Sequence, residues 1–143
     1  MKISVVTVCS NAEKTIADAM ASVARQRELL DCSDCSIGRR FEIEYIVVDG
    51  GSTDGTVGII REFAARFDSI EQSNNPSNRT MTFRWLSEKD DGMYDALNKG
   101  IRMATGDVIG ILNADDALDG EDVIARIARV FACSDRSIEC LYG

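Results

Sequence analysis

Apolar residues along the chain follow two alternating patterns, continuous runs and segments with helical spacing. Apolar runs predict buried strands at residues 3–8, 43–48 and 107–112, and an alternating pattern predicts another strand at residues 81–86. Apolar positions three and four apart predict helices at residues 12–25 and 56–67, and two further helices are predicted at residues 93–104 and 123–131. Leu141 and Tyr142 are expected to begin a fifth strand. The β-α-β-α order predicts an α/β fold with a mainly parallel, doubly wound sheet and helices on both faces.

Local signals indicate where the helices begin and end. Asp54 is expected to cap the second helix, and Asp119 the fourth, with Asp122 at the capping-box position. Gly106 is expected to terminate the third helix as its C′ residue.

Two stretches interrupt the alternation. Residues 28–40 and 69–79 are polar, rich in turn residues and without period, so they are predicted to be surface loops. No linker divides the chain, which predicts a single domain over residues 1–143.

Composition narrows the classes of partner. Hydrophobic residues make up 45% of the chain, enough for a buried core. The formal net charge is −8, and the only adjacent basic pair is Arg39-Arg40, which argues against nucleic acid as a partner. An anionic small ligand would be repelled unless a cation or local basic groups intervened.

No apolar stretch approaches the length of a transmembrane helix; residues 108–112 are among the longer ones. The N-terminus runs directly into the first predicted strand without the features of a signal peptide. The sequence therefore predicts a cytoplasmic protein, with peripheral contact at the inner face of the membrane left open.

The cysteines allow a metal site but do not favour it. Cys32 and Cys35 have zinc-ribbon spacing, but Cys133 and Cys140 are seven positions apart and the chain has no histidine. With Cys9 the chain has five cysteines, and an odd number also argues against a disulfide framework. Scattered reduced thiols are the favoured interpretation.

Polar clusters follow three of the predicted strands, at residues 7–11, 49–56 and 113–116. Ligands of open α/β sheets bind at the carboxyl ends of the strands, so these clusters predict the functional site. Asp49 has two interpretations: an acceptor for the N3–H of uracil, or the start of an Asx turn or helix cap. The glycines of the second cluster are expected to let a ligand approach backbone amides.

The acidic turn at residues 113–116 also has two interpretations. Asp115 and Asp116 are adjacent carboxylates, which a divalent cation shared with a substrate diphosphate would stabilise. A solvated acidic turn ahead of the fourth helix is the alternative.

Four segments occur in an order that resembles family 2 glycosyltransferases, especially bacterial enzymes that build exopolysaccharide, capsule or O-antigen. They are ISVVTVCSN at 3–11, VVDGGSTDGT at 47–56, SEKDDGMYDALNKG at 87–100 and ATGDVIGILNADD at 104–116. The resemblance implies a GT-A fold, of which this chain is the N-terminal donor-binding part, truncated on the acceptor side.

The resemblance also implies a set of donor-binding residues: Thr7, Asn11, Glu13, Asp49, Ser52, Asp54, Asp90, Asn98, Asn113, Ala114 and Asp115. It implies Mg²⁺ or Mn²⁺ on Asp115, with Asp116 as a neighbouring acid. Asn113 replaces the first aspartate of the family's DXD triplet, and Ser10 stands where many members have a tyrosine that stacks on the base.

The implied reaction is transfer of a sugar, with inversion, from a nucleotide sugar such as a UDP-sugar to a polysaccharide or lipid-linked acceptor. The family's catalytic base lies beyond the DXD region, so no base is assigned in this chain. One alternative is a non-catalytic nucleotide-sugar-binding module that lacks the acceptor half. A nucleotidyltransferase is less favoured, because residues 9–14 do not form the glycine-rich basic loop that it needs.

Overall fold

The computed structural model describes residues 1–26, 41–72, 81–133 and 139–141. Strands and helices alternate along these ranges. The strands are β1 (Lys2–Cys9), β2 (Glu42–Asp49), β3 (Met81–Ser87) and β4 (Val108–Ile111). The helices are α1 (Ile16–Ala24), α2 (Thr56–Gln72), α3 (Met93–Met103) and α4 (Val123–Cys133).

The four strands form one parallel sheet in the order β3-β2-β1-β4. β1 and β2 lie at its centre and are buried from Ile3 to Cys9 and from Ile43 to Asp49, as expected for parallel strands covered on both faces. The chain winds outward from β1 to β2 and β3, then returns to place β4 on the other side of β1. The switch point of the winding therefore lies between β1 and β4, where ligands of such sheets bind.

Helices cover both faces of the sheet, which confirms the predicted doubly wound α/β fold. Alternate residues of the strands pack with α1, α2 and α4 in the larger core cluster. The remaining positions, including Val6 and Val48, pack with Ala96 and Leu97 of α3. On this second face Ile109 and Ile111 of β4 remain exposed.

Four aromatic side chains hold α2 against the sheet. The ring of Phe63 lies edge-on to Phe83 of β3, with centroids 4.9 Å apart, and Tyr45 of β2 lies 5.6 Å from the same ring. Phe67 completes the group at 5.9 Å from Phe83. These contacts fix the register of α2, and therefore the position of the loop that precedes it.

Several predicted boundaries need correction. α1 begins at Ile16 rather than at residue 12, because residues 12–15 form a turn closed by a 3.1 Å bond from the Thr15 amide to the Ala12 carbonyl. α2 continues to Gln72, so residues 69–72 of the predicted loop are helical. Leu141 is not in a strand. The rest of that loop, the predicted loop at 28–40 and Tyr142 lie outside the described residues.

The predicted ends of two helices also differ from the structure. α4 begins at Val123, directly after Asp122, so Asp119 lies too early to cap it. Gly106 does not have the positive φ of a helix-terminating glycine. It is instead packed against β1, where an added Cβ would lie 2.7 Å from the Ser4 amide nitrogen.

Glu44, buried at the end of the sheet opposite the polar loops, joins β2 to the segment between α3 and β4. Its carboxylate accepts hydrogen bonds from the Ser4 hydroxyl at 2.6 Å and the Thr105 amide at 2.7 Å. Lys2 and Arg84 lie 3.6 and 3.5 Å from Oε1. Burial raises the pKa of Glu44, but the hydrogen bonds from Ser4 and Thr105 outweigh it and hold the pKa below its ordinary value.

The Glu44→Gln variant is expected to lose about 2 kcal/mol of unfolding free energy at neutral pH, because an amide nitrogen would face these donors. A lowered folded-state pKa gives stability that is present at neutral pH and is lost as the pH falls through that pKa. Urea unfolding should therefore show a difference in stability between the unaltered protein and Glu44→Gln at neutral pH, and this difference should shrink at acid pH. Glu42→Gln, at an exposed position of the same strand, is the control. A difference that persisted undiminished in strong acid would contradict this account.

Candidate functional site

The carboxyl ends of the four strands bring four loops to one edge of the sheet. Loop 1 (residues 10–15) follows β1, loop 2 (50–55) follows β2, loop 3 (88–92) follows β3 and loop 4 (112–122) follows β4. This edge contains most of the site residues predicted from sequence.

Loops 1 and 2 are joined by reciprocal hydrogen bonds. The backbone amide of Asn11 donates to Ser52 Oγ at 2.7 Å, and the side-chain Oδ1 of Asn11 accepts from the backbone amide of Thr53 at 2.9 Å. Glu13 Oε2 accepts from the amide of residue 55 at 2.8 Å, and the Glu13 amide donates to Asp54 at 3.2 Å. The predicted residues Asn11, Glu13, Ser52 and Asp54 are therefore brought together, and they bind one another.

Asp54 also caps α2, as predicted, since its Oδ1 accepts a 3.0 Å bond from the Thr56 amide. The hydrogen bonds from Thr56 lower the pKa of Asp54.

Asp49 lies at the centre of this edge, with no exposed surface. Its carboxylate accepts from five donors: the amides of Gly51 and Ser52, the hydroxyls of Ser52 and Ser87, and the thiol of Cys9. Burial raises the pKa of Asp49, but the bonds from Ser52 and Ser87 outweigh it and lower the pKa. This arrangement supports the Asx-turn interpretation and leaves no accessible oxygen for a base.

Most backbone amides of loop 2, and that of the first residue of α2, are likewise hydrogen-bonded within the protein. Those of Gly51 and Ser52 bind Asp49, those of Thr53 and Gly55 bind Asn11 and Glu13, and that of Thr56 binds Asp54. The expectation that this glycine-rich turn offers its amides to a ligand is therefore wrong for these five positions.

Asp90 of loop 3 is half-buried beside loop 2. Its Oδ1 accepts from the Gly92 amide at 3.0 Å. The carboxyl group also lies in the space that a side chain at Gly50 would fill, since an added Cβ would stand 2.9 Å from Asp90 Cγ. No protein donor within the described ranges lies on Oδ2, so this oxygen can accept from a ligand.

The acidic turn of loop 4 lies next to the switch point. Ala114 is buried in the larger core cluster and anchors the turn. Asn113 Nδ2 donates to Asp116 Oδ2 at 3.0 Å, and the Asp116 amide donates to the Asn113 carbonyl at 3.1 Å. One oxygen of Asp116 is therefore engaged by its neighbour, and Asp115 presents an exposed carboxylate.

The donor set of this turn fits a shared metal ion better than an all-protein site. No group of three or more cysteine, aspartate or glutamate side chains in the described part of the chain is arranged to hold a cation. Mg²⁺ commonly takes one or two carboxylates and completes its coordination with substrate phosphates and water. Asp115, with Asp116 beside it, matches that requirement when a diphosphate supplies the other oxygens.

Two buried side chains, Ser22 in α1 and Gln26 just after it, hold loop 4 in place. Gln26 Oε1 accepts from the Ile124 amide at 3.0 Å, and its Nε2 donates to the Gly120 carbonyl at 2.7 Å. Ser22 Oγ accepts from the Leu118 amide at 3.1 Å. Gln26 thus satisfies a first-turn amide of α4, the capping role that was expected of Asp119.

Two predicted site residues lie away from this surface. Thr7 is fully buried within β1, and its hydroxyl accepts a 3.1 Å hydrogen bond from the Tyr45 hydroxyl. Asn98 is exposed on the side of α3 away from the sheet, two positions from each of the buried residues Ala96 and Gly100. Neither side chain faces the strand ends.

Of the cysteines, Cys9 is buried, Cys133 and Cys140 are exposed, and Cys32 and Cys35 lie outside the described residues. Burial, and then Asp49, raise the pKa of Cys9 to about 12, so its thiol stays protonated and donates. None of the helices in the described ranges combines the length and apolarity needed to cross a bilayer.

The family profile described as Glycosyl transferase family 2 matches residues 4–140. The chain belongs to glycosyltransferase family 2. It is 32% identical over 140 residues to a PGL/p-HBAD biosynthesis glycosyltransferase of Mycobacterium bovis (strain BCG / Pasteur 1173P2), covering 98% of this chain and 45% of that protein. The chain thus spans about half the length of this curated relative.

Solved structures of glycosyltransferases share the fold. S. aureus TarS 1-349 in complex with UDP matches with a TM-score of 0.64 and 23% identity, covering 92% of this chain and 32% of that one. The mannosyltransferase PcManGT from Pyrobaculum calidifontis, in complex with GDP-Man and Mn²⁺, matches with a TM-score of 0.66 and 24% identity, covering 91% and 32%. The GT-A fold implied by the sequence motifs is therefore confirmed for this family 2 chain.

Sequence reasoning missed four residues that organise the site. Ser87 and Cys9 end their strands level with Asp49 in the parallel register, which a sequence-based alignment of strand ends could have revealed. Ser22 lies on the buried side of α1 and Gln26 is buried two residues after the end of that helix, and buried polar side chains are a signal for specific hydrogen-bond partners.

The Gln26→Met variant is expected to lose about 2–3 kcal/mol of unfolding free energy, because the Gly120 carbonyl and the Ile124 amide would lose their buried partner. Chemical denaturation measures the change, and Arg25→Met, at an exposed position, is the matched control. Equal unfolding midpoints for the two variants would show that this link between α1 and loop 4 contributes nothing.

Proposed function

We propose that this chain binds the nucleotide-sugar donor of a family 2 glycosyltransferase, with the diphosphate at loop 4. The observation that supports this most directly is the acidic turn carrying Asp115, beside the switch point of a sheet whose other polar loops share the same edge. Membership of the family supports glycosyl transfer as the reaction.

The donor would lie across the strand ends, with its diphosphate at loop 4 and its nucleoside toward loops 2 and 3. Loop 2 contributes no unengaged amide at the five positions described above, so a phosphate gains little there. A structural neighbour contains UDP-GlcNAc and another contains GDP-Man, which supports a nucleoside diphosphate sugar as the donor. A uridine donor remains the preferred proposal.

Asp115 would hold a Mg²⁺ or Mn²⁺ ion together with the diphosphate, and Asn113 would keep Asp116 oriented beside it. The presence of Mn²⁺ in the PcManGT complex supports this choice of ion. The chemistry supplied by such a cation is Lewis-acid stabilisation of the leaving nucleoside diphosphate. It also offsets the repulsion between an anionic donor and a chain of net charge −8.

The reaction that we propose is direct displacement at the anomeric carbon with inversion, onto a polysaccharide or lipid-linked acceptor. Such a displacement needs a carboxylate to deprotonate the acceptor hydroxyl. We assign no base among residues 1–143. Since this chain corresponds to 45% of the mycobacterial relative, we propose that a segment equivalent to the remainder supplies the base and the acceptor site.

A second candidate is a nucleotide-sugar-binding module without transfer activity. The same partial coverage of the relatives favours it. Incubating the chain with radiolabelled UDP-sugar and Mn²⁺ separates the two, because slow donor hydrolysis by the chain would exclude a purely binding role.

Saturating UDP with Mn²⁺ is expected to raise the melting temperature by roughly 5–10 °C, since a ligand at a hundred times its Kd adds about 2.7 kcal/mol to the folded state. The Asp115→Ala variant should lose the Mn²⁺-dependent part of this rise in differential scanning fluorimetry. Asp119→Ala, which removes another exposed acid of loop 4, should retain it. A chain that showed no shift with any nucleoside diphosphate would refute donor binding.

A further inference from the structure

The carboxylate at the end of β2, that of Asp49, is not the one that the site presents to solvent. Asp49 is completely buried, and five donors surround its two oxygens. A base could bind it only by displacing hydrogen bonds that hold the ends of three strands. An acceptor for the base must therefore be another group at this edge.

We propose that Asp90, rather than Asp49, accepts the ring N–H of the donor base. This inference rests on the proposed function and makes Asp90 a specificity-determining residue of that site. Asp90 is half-buried, its Oδ1 is fixed by the Gly92 amide at 3.0 Å, and its Oδ2 has no protein donor among the described residues.

Gly50 makes this position of Asp90 possible. An added Cβ at residue 50 would stand 2.9 Å from Asp90 Cγ and still closer to Oδ2. The missing side chain of loop 2 thus leaves a space that the carboxylate of loop 3 occupies. A negative charge therefore lies at the end of β2 although Asp49 itself is turned into the fold.

The distance across the sheet agrees with this placement. β3 and β4 are three strand spacings apart, or about 14 Å at the ~4.8 Å that separates neighbouring strands. Asp90 follows β3, whereas the acidic turn follows β4. An extended nucleoside diphosphate with its phosphates at Asp115 would direct its base toward loops 2 and 3.

The chemistry of a carboxylate predicts which bases are accepted. An ionised carboxylate can only accept hydrogen bonds, so it favours uracil at N3–H or guanine at N1–H. Cytosine and adenine present a lone pair at the corresponding ring position, which a carboxylate repels. The site is therefore expected to bind uridine or guanosine diphosphates more tightly than cytidine or adenosine diphosphates.

N3-methyl-UDP tests the contact directly, because its methyl group replaces the N–H. With Mn²⁺ present, isothermal titration of the full chain should give a Kd for N3-methyl-UDP about tenfold or more above that for UDP, the effect of losing one hydrogen bond to a charged group. In Asp90→Ala this ratio should fall to about twofold or less. In Asp49→Asn the ratio should persist, with a lower melting temperature.

A ratio that survived in Asp90→Ala, or that was lost in a folded Asp49→Asn variant, would overturn the inference while leaving donor binding intact. An unaltered chain that bound no nucleoside diphosphate would overturn donor binding and the inference together. The two failures are therefore distinguishable by the titration of the unaltered chain alone.

A second pair of variants tests the same placement without changing Asp49 or Asp90. Gly50→Ala should displace the Asp90 carboxylate and lower the UDP to N3-methyl-UDP discrimination, since φ at Gly50 is not positive and the backbone tolerates alanine. Gly58→Ala on α2, where an added Cβ meets nothing within 4 Å, is the matched control and should bind UDP unchanged. Equal discrimination in the two variants would contradict the placement of Asp90.

Discussion

The buried carboxylate of Asp49 is the interaction on which the loop edge of this protein depends. In the parallel register Asp49 stands level with Cys9 of β1 and Ser87 of β3, and it accepts hydrogen bonds from both. The amides of Gly51 and Ser52 close the set from loop 2. A carboxylate removed from water is costly unless every oxygen is satisfied, so loops 1, 2 and 3 cannot move independently.

Loop 4 is held by a different set of contacts. Ser22 and Gln26 fix it to α1 from inside the protein, and Ala114 anchors its first turn in the core. The exposed carboxylate of Asp115 is thus carried by a loop with a buried scaffold, as a preorganised ligand group requires. The metal-binding and base-binding ends of the proposed site therefore have separate supports and can be altered separately.

Much of the fold follows from local sequence patterns. Apolar runs identified β1, β2 and β4, alternation identified β3, and helical spacing identified helices such as α1 and α2, because these patterns reflect which faces are covered. The start of α1 was misplaced because a hydrogen bond from the Ala12 amide to Thr56, 44 positions away, stabilises a turn there. The cap of α4 comes from Gln26, 98 positions before its partner Ile124. Such long-range bonds leave no local pattern to read.

The sequence predicted which loops meet at this edge of the sheet, but not the hydrogen bonds of their individual side chains. Motif resemblance correctly gathered Asn11, Glu13, Ser52 and Asp54 at one edge, but it could not show that they bind one another. Strand alternation places Thr7 on the same face as Val5 and Cys9, and hence in the core. The space at Gly50 that Asp90 occupies is a property of two loops together.

The state of Cys9 has a practical consequence for chemical modification. Thiol reagents and peroxides attack the thiolate, and a buried cysteine with a pKa near 12 has almost none at neutral pH. Oxidation or alkylation of this protein should therefore begin at exposed thiols such as Cys140. A fluorescent or spin label could be attached there while the loop edge keeps its reduced, hydrogen-bonded form.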